Sequence, residues 1–255
     1  MKITILGSGT STGVPQIGCS CEVCTSSDLR DNRMRASAWI ETEKERILID
    51  CGPDFREQML RYVSFAPLDA VLITHEHYDH TGGIDDLRPF CAFGDIAVYA
   101  DGLTVADLRN RLPYCFKEHK YPGVPLISLT EIYPHIPFKI GETEVFPIQV
   151  LHGKLPILGF RIGKMAYITD LKTLPDNELS YLKGIECLIV NALRTEEHMT
   201  HQTLDEALAL SQQLRPRQTY LIHMSHHIGL HKKVQQLLPE GVFLAYDGMQ
   251  IIVED

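Results

Sequence analysis

Five apolar, strand-like runs in this chain each finish on a residue able to bind a metal. Ile47-Leu48-Ile49 ends on Asp50, Val71-Leu72-Ile73-Thr74 on His75, and Gln149-Val150-Leu151 on His152. Tyr167-Ile168-Thr169 ends on Asp170, and Tyr220-Leu221-Ile222 on His223. Strands of a layered protein are buried and their exits form loops along one edge of a sheet, so residues at five such exits can converge on one cleft. A chance scatter of acids and histidines would not favour strand ends.

The rest of the chain fits a layered α/β domain rich in strands. Val, Ile and aromatic residues mark strands at Ile3–Leu6, Ala38–Glu41, Ile47–Asp50, Val71–Thr74, Ile96–Tyr99 and Val145–Val150. Further ones fall at Phe160–Ile162, Ala166–Asp170, Cys187–Val190, Thr219–Ile222, Val242–Tyr246 and Ile251–Val253. Helical periodicity is read at Phe55–Tyr62, Thr104–Leu112, Leu174–Leu182, Leu204–Leu214 and Lys232–Leu238. The helix at Leu204 is the clearest, because Thr203 and Glu206 have the spacing of a capping box. A chain of 255 residues without repeats, low-complexity tracts or linkers reads as a single domain over residues 1–255.

Charge and hydropathy narrow the function classes. With 24 Lys and Arg against 33 Asp and Glu the net charge is −9, which disfavours a large nucleic acid and favours a small-molecule substrate. No apolar run approaches the roughly 20 residues of a membrane span, and the run from Met1 to Leu6 meets Gly7 too early for a signal-peptide core. A cytoplasmic location with no membrane partner is expected. The seven cysteines are an odd number, and Cys19, Cys21 and Cys24 crowd too tightly for a disulfide framework, which points to a metal in a reducing compartment.

The densest segment is His75-Glu76-His77-Tyr78-Asp79-His80, after a strand and before Gly82-Gly83. Mixed imidazole and carboxylate donors suit zinc, manganese or iron, and a catalytic ion pair about 3.5–4 Å apart needs this mixture with a bridging group. With Asp50, His152, Asp170 and His223 in order behind it, the chain resembles the metallo-β-lactamase fold superfamily of hydrolases. The resemblance implies an αββα sandwich with the metals at one edge of the sheets. It also implies one ion on His75, His77 and His152, a second on Asp79, His80 and His223, and Asp170 bridging both. Asp50 would orient ligands through hydrogen bonds.

Three further features concern the branch of that superfamily. Cys19, Cys21 and Cys24 supply three soft ligands and need a fourth, for which His226, His227 and His231 are candidates and His226 is preferred. This arrangement resembles the phosphodiesterases related to the PhnP type, which act on phosphoribosyl cyclic phosphate and carry such an extra, structural zinc. His198 and His201 precede the capped helix, whose N-terminus could seat an anion. The resemblance implies that His201 assists the departing oxygen. His198, Arg33 and Arg35 are candidates for substrate contact, the arginines through bidentate pairing with phosphate. The glycine-rich run Gly7–Gly13 lacks the phosphate-cradle lysine and reads as a close backbone turn. Asp85-Asp86-Leu87-Arg88 resembles an element of the same branch, without an assigned role.

The expected activity is hydrolysis of a small ribose or nucleotide phosphodiester, cyclic forms included. It would use two catalytic divalent metals, zinc or manganese, with Asp79, Asp170 and His201 in the catalytic set. The resemblance implies a homodimer. Alternatives are a tRNA 3′-endonuclease of the RNase Z kind, which would be expected to carry a basic arm not found here, and a non-catalytic nucleotide-binding metalloprotein. The loop 117–125, rich in Pro and Gly, is expected to line or cover the cleft, together with the helix near Thr104.

Overall fold

The computed structural model describes residues 1–117 and 123–254. Most of the loop expected to cover the cleft, residues 118–122, lies outside that range. Two seven-stranded mixed sheets face each other. The first contains β1 (Lys2–Gly7), β2 (Ser37–Glu41), β3 (Arg46–Ile49), β4 (Ala70–Leu72), β5 (Ile96–Ala100) and β6 (Ile127–Glu131). It is completed by β14 (Gln250–Ile252), in the order β14-β1-β2-β3-β4-β5-β6. The second contains β7 (Phe138–Ile140), β8 (Thr143–His152), β9 (Leu155–Ile162), β10 (Met165–Ile168), β11 (Cys187–Asn191), β12 (Gln218–Ile222) and β13 (Val242–Leu244), hydrogen-bonded in reverse order from β13 to β7.

Residue alternation explains why the central strands read as continuous apolar runs. Ile47, Ile49 and Leu72 point into the space between the sheets with Phe160, Tyr167 and Ile189. Leu48 and Val71, one residue out of phase, meet helix α1 (Phe55–Tyr62), the 3-10 helix Ile84–Phe93 and Leu108 on α3 (Gly102–Arg111). On the other side Leu188 and Val190 meet Ala207 and Leu210 of α4 (Leu204–Leu214). A strand covered on both faces has no polar face to show. Both sheets thus have helices outside, which is the expected αββα arrangement.

Strand direction decides where the ligands go. β3 and β4 are parallel, as are β10, β11 and β12, and β8 runs the same way as β10 because both are antiparallel to β9. The exits of β3, β4, β8, β10 and β12 therefore share an edge. The sheets are tied to each other there by Leu158 N donating to Thr74 O and by the pairing of Gly9 with Met224.

All twelve expected strands are present. β6 and β7 escaped the sequence reading because both are short sheet-edge strands, half solvated, with too few apolar residues to show a period. The segment expected to be helical at Leu174–Leu182 is a 3-10 helix, Asp176–Leu182, entered from the extended Pro175. The last helix, α5, spans His231–Gln235. Among the described residues no helix is long and apolar enough to cross a membrane.

Candidate metal centre

Asp50, Asp170 and His223 all have left-handed backbones, with φ of 59°, 55° and 54°. For a residue with a Cβ this conformation costs about 1–2 kcal/mol, and such strain concentrates at sites that use the turned side chain. Asp50, Asp170 and His223 follow β3, β10 and β12 respectively, at the shared edge of the sheets. Sequence patterning located the three residues without indicating this conformation, since glycine or asparagine is the usual signal for it.

The side chains converge as two sets of three donors. His75, His77 and His152 place one ligand atom each within 4.8 Å of the others, and so do Asp79, His80 and His223. Asp170 joins the sets, because His75, His80 and Asp170 satisfy the same limit. Asp79 and His80 lie on the four-residue turn α2 (Tyr78–Thr81), close enough to the β3 exit that a Cβ on Gly52 would stand 2.1 Å from Asp79 O. Only a glycine lets that backbone pass.

Hydrogen bonds fix which imidazole nitrogen faces the cleft. His152 Nδ1 donates to Asp170 O at 3.0 Å and Thr200 O at 2.8 Å, so its Nε2 is the bare nitrogen. His80 Nδ1 donates to Asp50 Oδ2 at 2.7 Å. Asp50 also accepts from Thr74 N and Thr74 Oγ1, and Thr74 Oγ1 lies 3.0 Å from His75 Nδ1. Asp50 accepts these bonds from a fully buried position.

The electrostatics call for cations. Burial pushes the Asp50 carboxyl up, whereas His223 and His80 outweigh burial at Asp170 and hold it well below the usual carboxylate range. His80 is held well above the ordinary imidazole range, because Asp170, Asp50 and Asp79 overcome its burial. Burial pushes His75 well down. The ion-pair partners of Asp79 and Asp170 among the described residues are histidines alone. His80 Nε2 and His223 Nε2 are buried 3.2–3.5 Å from those carboxylates, yet make no hydrogen bond. Buried carboxylates beside imidazole nitrogens that make no hydrogen bond are donors suited to divalent metal, and the residues fit it.

His201 is set against Asp170 rather than at an open face. Its Nε2 donates to Asp170 Oδ1 at 2.9 Å, and its Nδ1 lies 2.9 Å from Thr200 Oγ1 and 3.2 Å from His198 Nδ1. Burial pulls its pKa down to about 4. The helix N-terminus behind it is not an open anion seat: Thr203 Oγ1 accepts from Glu206 N while Glu206 Oε2 accepts from Thr203 N. The helix supplies its own anion.

Of the two arginines expected to touch substrate, Arg33 is buried and Arg35 is partly exposed. Arg33 is 2% exposed and donates from Nη1 to Ser8 Oγ and Ala245 O, so it cannot reach a phosphate in the cleft. Arg35 forms an ion pair with Asp54 and donates from Nε to Ser11 O. The sequence shows cationic residues before a strand without showing which way they turn.

A second donor cluster lies beside His223. Cys19, Cys21, Cys24 and His226 fall within 4.8 Å of one another, with Cys21 Sγ 3.3 Å from His226 Nδ1. The Cys24 N–H holds the Cys21 thiol down to about 6, while burial pushes Cys24 up to about 11. Of the other candidate fourth ligands, His227 packs on the His226 ring and His231 packs edge-on to Tyr246.

Comparison with known proteins agrees with this geometry. A beta-lactamase superfamily domain model matches residues 45–224. An octanoyltransferase of Porphyromonas gingivalis is 46% identical over 257 residues, covering 100% of this chain and 52% of that protein. The chain thus spans about half the length of the first curated relatives it matches. Among solved structures, a diphosphatase from the PhnP family superposes with a TM-score of 0.91 at 36% identity, over 98% of this chain and 96% of the other. Zinc-bound PqqB from Methylobacterium extorquens superposes with a TM-score of 0.82 at 18% identity, over 99% and 100% of the two chains.

Proposed function

Since the chain belongs to the beta-lactamase superfamily and has the metallo-β-lactamase fold, we propose that it hydrolyses a small phosphodiester or diphosphate, a ribose or nucleotide phosphate included. Members of this superfamily are mostly hydrolases, and the fold binds divalent metals, often zinc. The observation that carries the reading is the junction at Asp170 of two three-donor sets, in a chain nearly coextensive with a PhnP-family diphosphatase.

His75, His77 and His152 would hold one ion, Asp79, His80 and His223 the other, and Asp170 would serve both. Such a pair lowers the pKa of water to about 7 and neutralises phosphate oxygens. The chain's own groups supply orientation. Asp50 fixes His80, Thr200 O fixes His152, and His201 holds Asp170 Oδ1 through its Nε2–H. Thr169 Oγ1 donates to the other Asp170 oxygen at 2.7 Å, so the His201 Nε2–H could swing from Oδ1 to the departing oxygen as the phosphorus–oxygen bond breaks, and it is the group assigned to stabilise that oxygen. Cys19, Cys21, Cys24 and His226 would hold a structural zinc that braces the His223 loop.

A second reading, hydrolysis of an acyl thioester, takes its support from the octanoyltransferase relative, because transfer of an acyl group to water is the hydrolytic form of acyl transfer. One assay separates the readings. The full chain is loaded with zinc or manganese and given bis(p-nitrophenyl) phosphate, five-membered cyclic ribose phosphates, 2′,3′-cyclic nucleotides, a nucleoside diphosphate, an octanoyl thioester and a precursor tRNA. Turnover of the small phosphoesters without thioester cleavage is expected. Cleavage of the thioester or the tRNA alone would overturn the proposal.

A further inference from the structure

His77 is the one exposed member of its donor set, whereas His75 and His152 are buried. Packing therefore does less to fix its ring, and the burden falls on the backbone. Both peptide groups flanking the His77 Cα are pinned. The Glu76 carbonyl accepts from Arg111 Nη2 at 2.7 Å and from Thr81 Oγ1 at 3.2 Å. The His77 carbonyl accepts from Thr81 Oγ1 at 2.8 Å and from His80 N at 3.0 Å. Arg111 Nη2 also lies 2.9 Å from Thr81 Oγ1, so one guanidinium nitrogen closes the network.

Arg111 is the last residue of α3, more than thirty positions away in sequence, and Asp107 one turn earlier pairs with it. Fixing the planes on both sides of a Cα fixes its Cβ direction, and a metal ligand displaced by an ångström loses most of its bond. We propose that Arg111 is a positioning residue for the His75, His77 and His152 set, holding the Glu76–His77 peptide so that His77 meets the ion those residues share. The inference rests on the metal reading of that set. It gives α3 a role at the site beyond covering the sheet.

The test is a chelator challenge of the zinc-loaded full chain, with retained zinc per chain measured directly and melting temperature followed alongside. In Arg111→Met one zinc is expected to leave at a chelator concentration about 10–100-fold lower than in the unmodified protein, with the remaining zinc unchanged. Arg111→Lys, which keeps a cationic donor, is expected to recover much of the loss. Asp107→Asn removes the ion pair but keeps the bonds to Glu76 and Thr81, and is expected to retain zinc like the unmodified chain. Zinc retention by Arg111→Met equal to the unmodified chain would overturn the inference, and so would an Asp107→Asn variant that loses zinc equally. If the unmodified chain holds zinc only on its cysteines, recognised after cobalt substitution by thiolate charge transfer, the metal reading fails and the inference with it.

Discussion

Asp50 Oδ2 lies 2.7 Å from His80 Nδ1, and both side chains are fully buried. Asp50 also accepts from Thr74 N and Oγ1, and Thr74 Oγ1 lies 3.0 Å from His75 Nδ1, so one carboxylate at the β3 exit braces candidate donors at the β4 exit and on α2. Asp50→Asn presents an N–H where an acceptor is needed. We expect metal affinity or turnover to fall about 10–100-fold, with the fold kept. Titration of zinc into the variant, compared with the unmodified chain, checks this; equal affinity and equal turnover would remove Asp50 from the design.

His201 lies within 4.8 Å of Asp170 and His152, yet outside the two sets His75, His77, His152 and Asp79, His80, His223. The expected result for His201→Ala is retention of both catalytic ions with turnover reduced about 10²–10⁴-fold, the range for loss of an acid–base or hydrogen-bonding group. Measuring zinc content and kcat on the same sample decides it. Loss of an ion would make His201 a ligand, in line with the grouping of His152, Asp170 and His201 within 4.8 Å. Unchanged kcat would exclude it from the reaction.

The Cys19, Cys21, Cys24 and His226 cluster sits beside the strand exit that carries His223. Cys21→Ser is expected to lose one zinc per chain and a few kcal/mol of stability, each worth about 2–4 °C of melting temperature for a chain of this size. Turnover would fall only as folded protein is lost. Unchanged zinc and unchanged melting would show that the cysteines hold nothing.

Much of this site was legible because metal chemistry restricts residue type and strand exits restrict place. The runs ending at Asp50, His75, His152, Asp170 and His223 share one edge because their strands run the same way, and the His75–His80 block supplies the remaining candidate donors. Less legible were features set by tertiary context. The left-handed turns at Asp50, Asp170 and His223 lack glycine, and Arg33 looks like any surface arginine until Ser8 and Ala245 are brought beside it. The capping box was readable, but its consequence was not: the same Glu206 that starts α4 fills the seat proposed for an external anion.

His231 is expected to give the chain a pH-dependent stability apart from the candidate metal centre. It is buried with Nδ1 unpartnered, and burial, with Arg33 and Arg30 nearby, pulls it down to about 4 from the ordinary 6.5. Between those values the unfolded chain binds the proton and the folded one does not. The stability is therefore present above pH 6.5 and lost as the pH falls toward 4, amounting to about 2 kcal/mol after allowance for partial screening. His231→Phe keeps the backbone bond to Asp31 and is expected to flatten that slope in urea unfolding. Equal slopes for the two proteins would contradict the assignment.

Seven side chains are proposed to hold a catalytic metal pair in addition to an ion on the cysteines. The most direct measurement titrates zinc into metal-free protein while following hydrolysis of bis(p-nitrophenyl) phosphate and metal bound per chain. Turnover is expected to be absent while the cysteine cluster fills, then to rise with the next two ions and saturate when three are bound. Full activity with a single catalytic ion, or none with all three bound on any small phosphoester, would contradict the proposal.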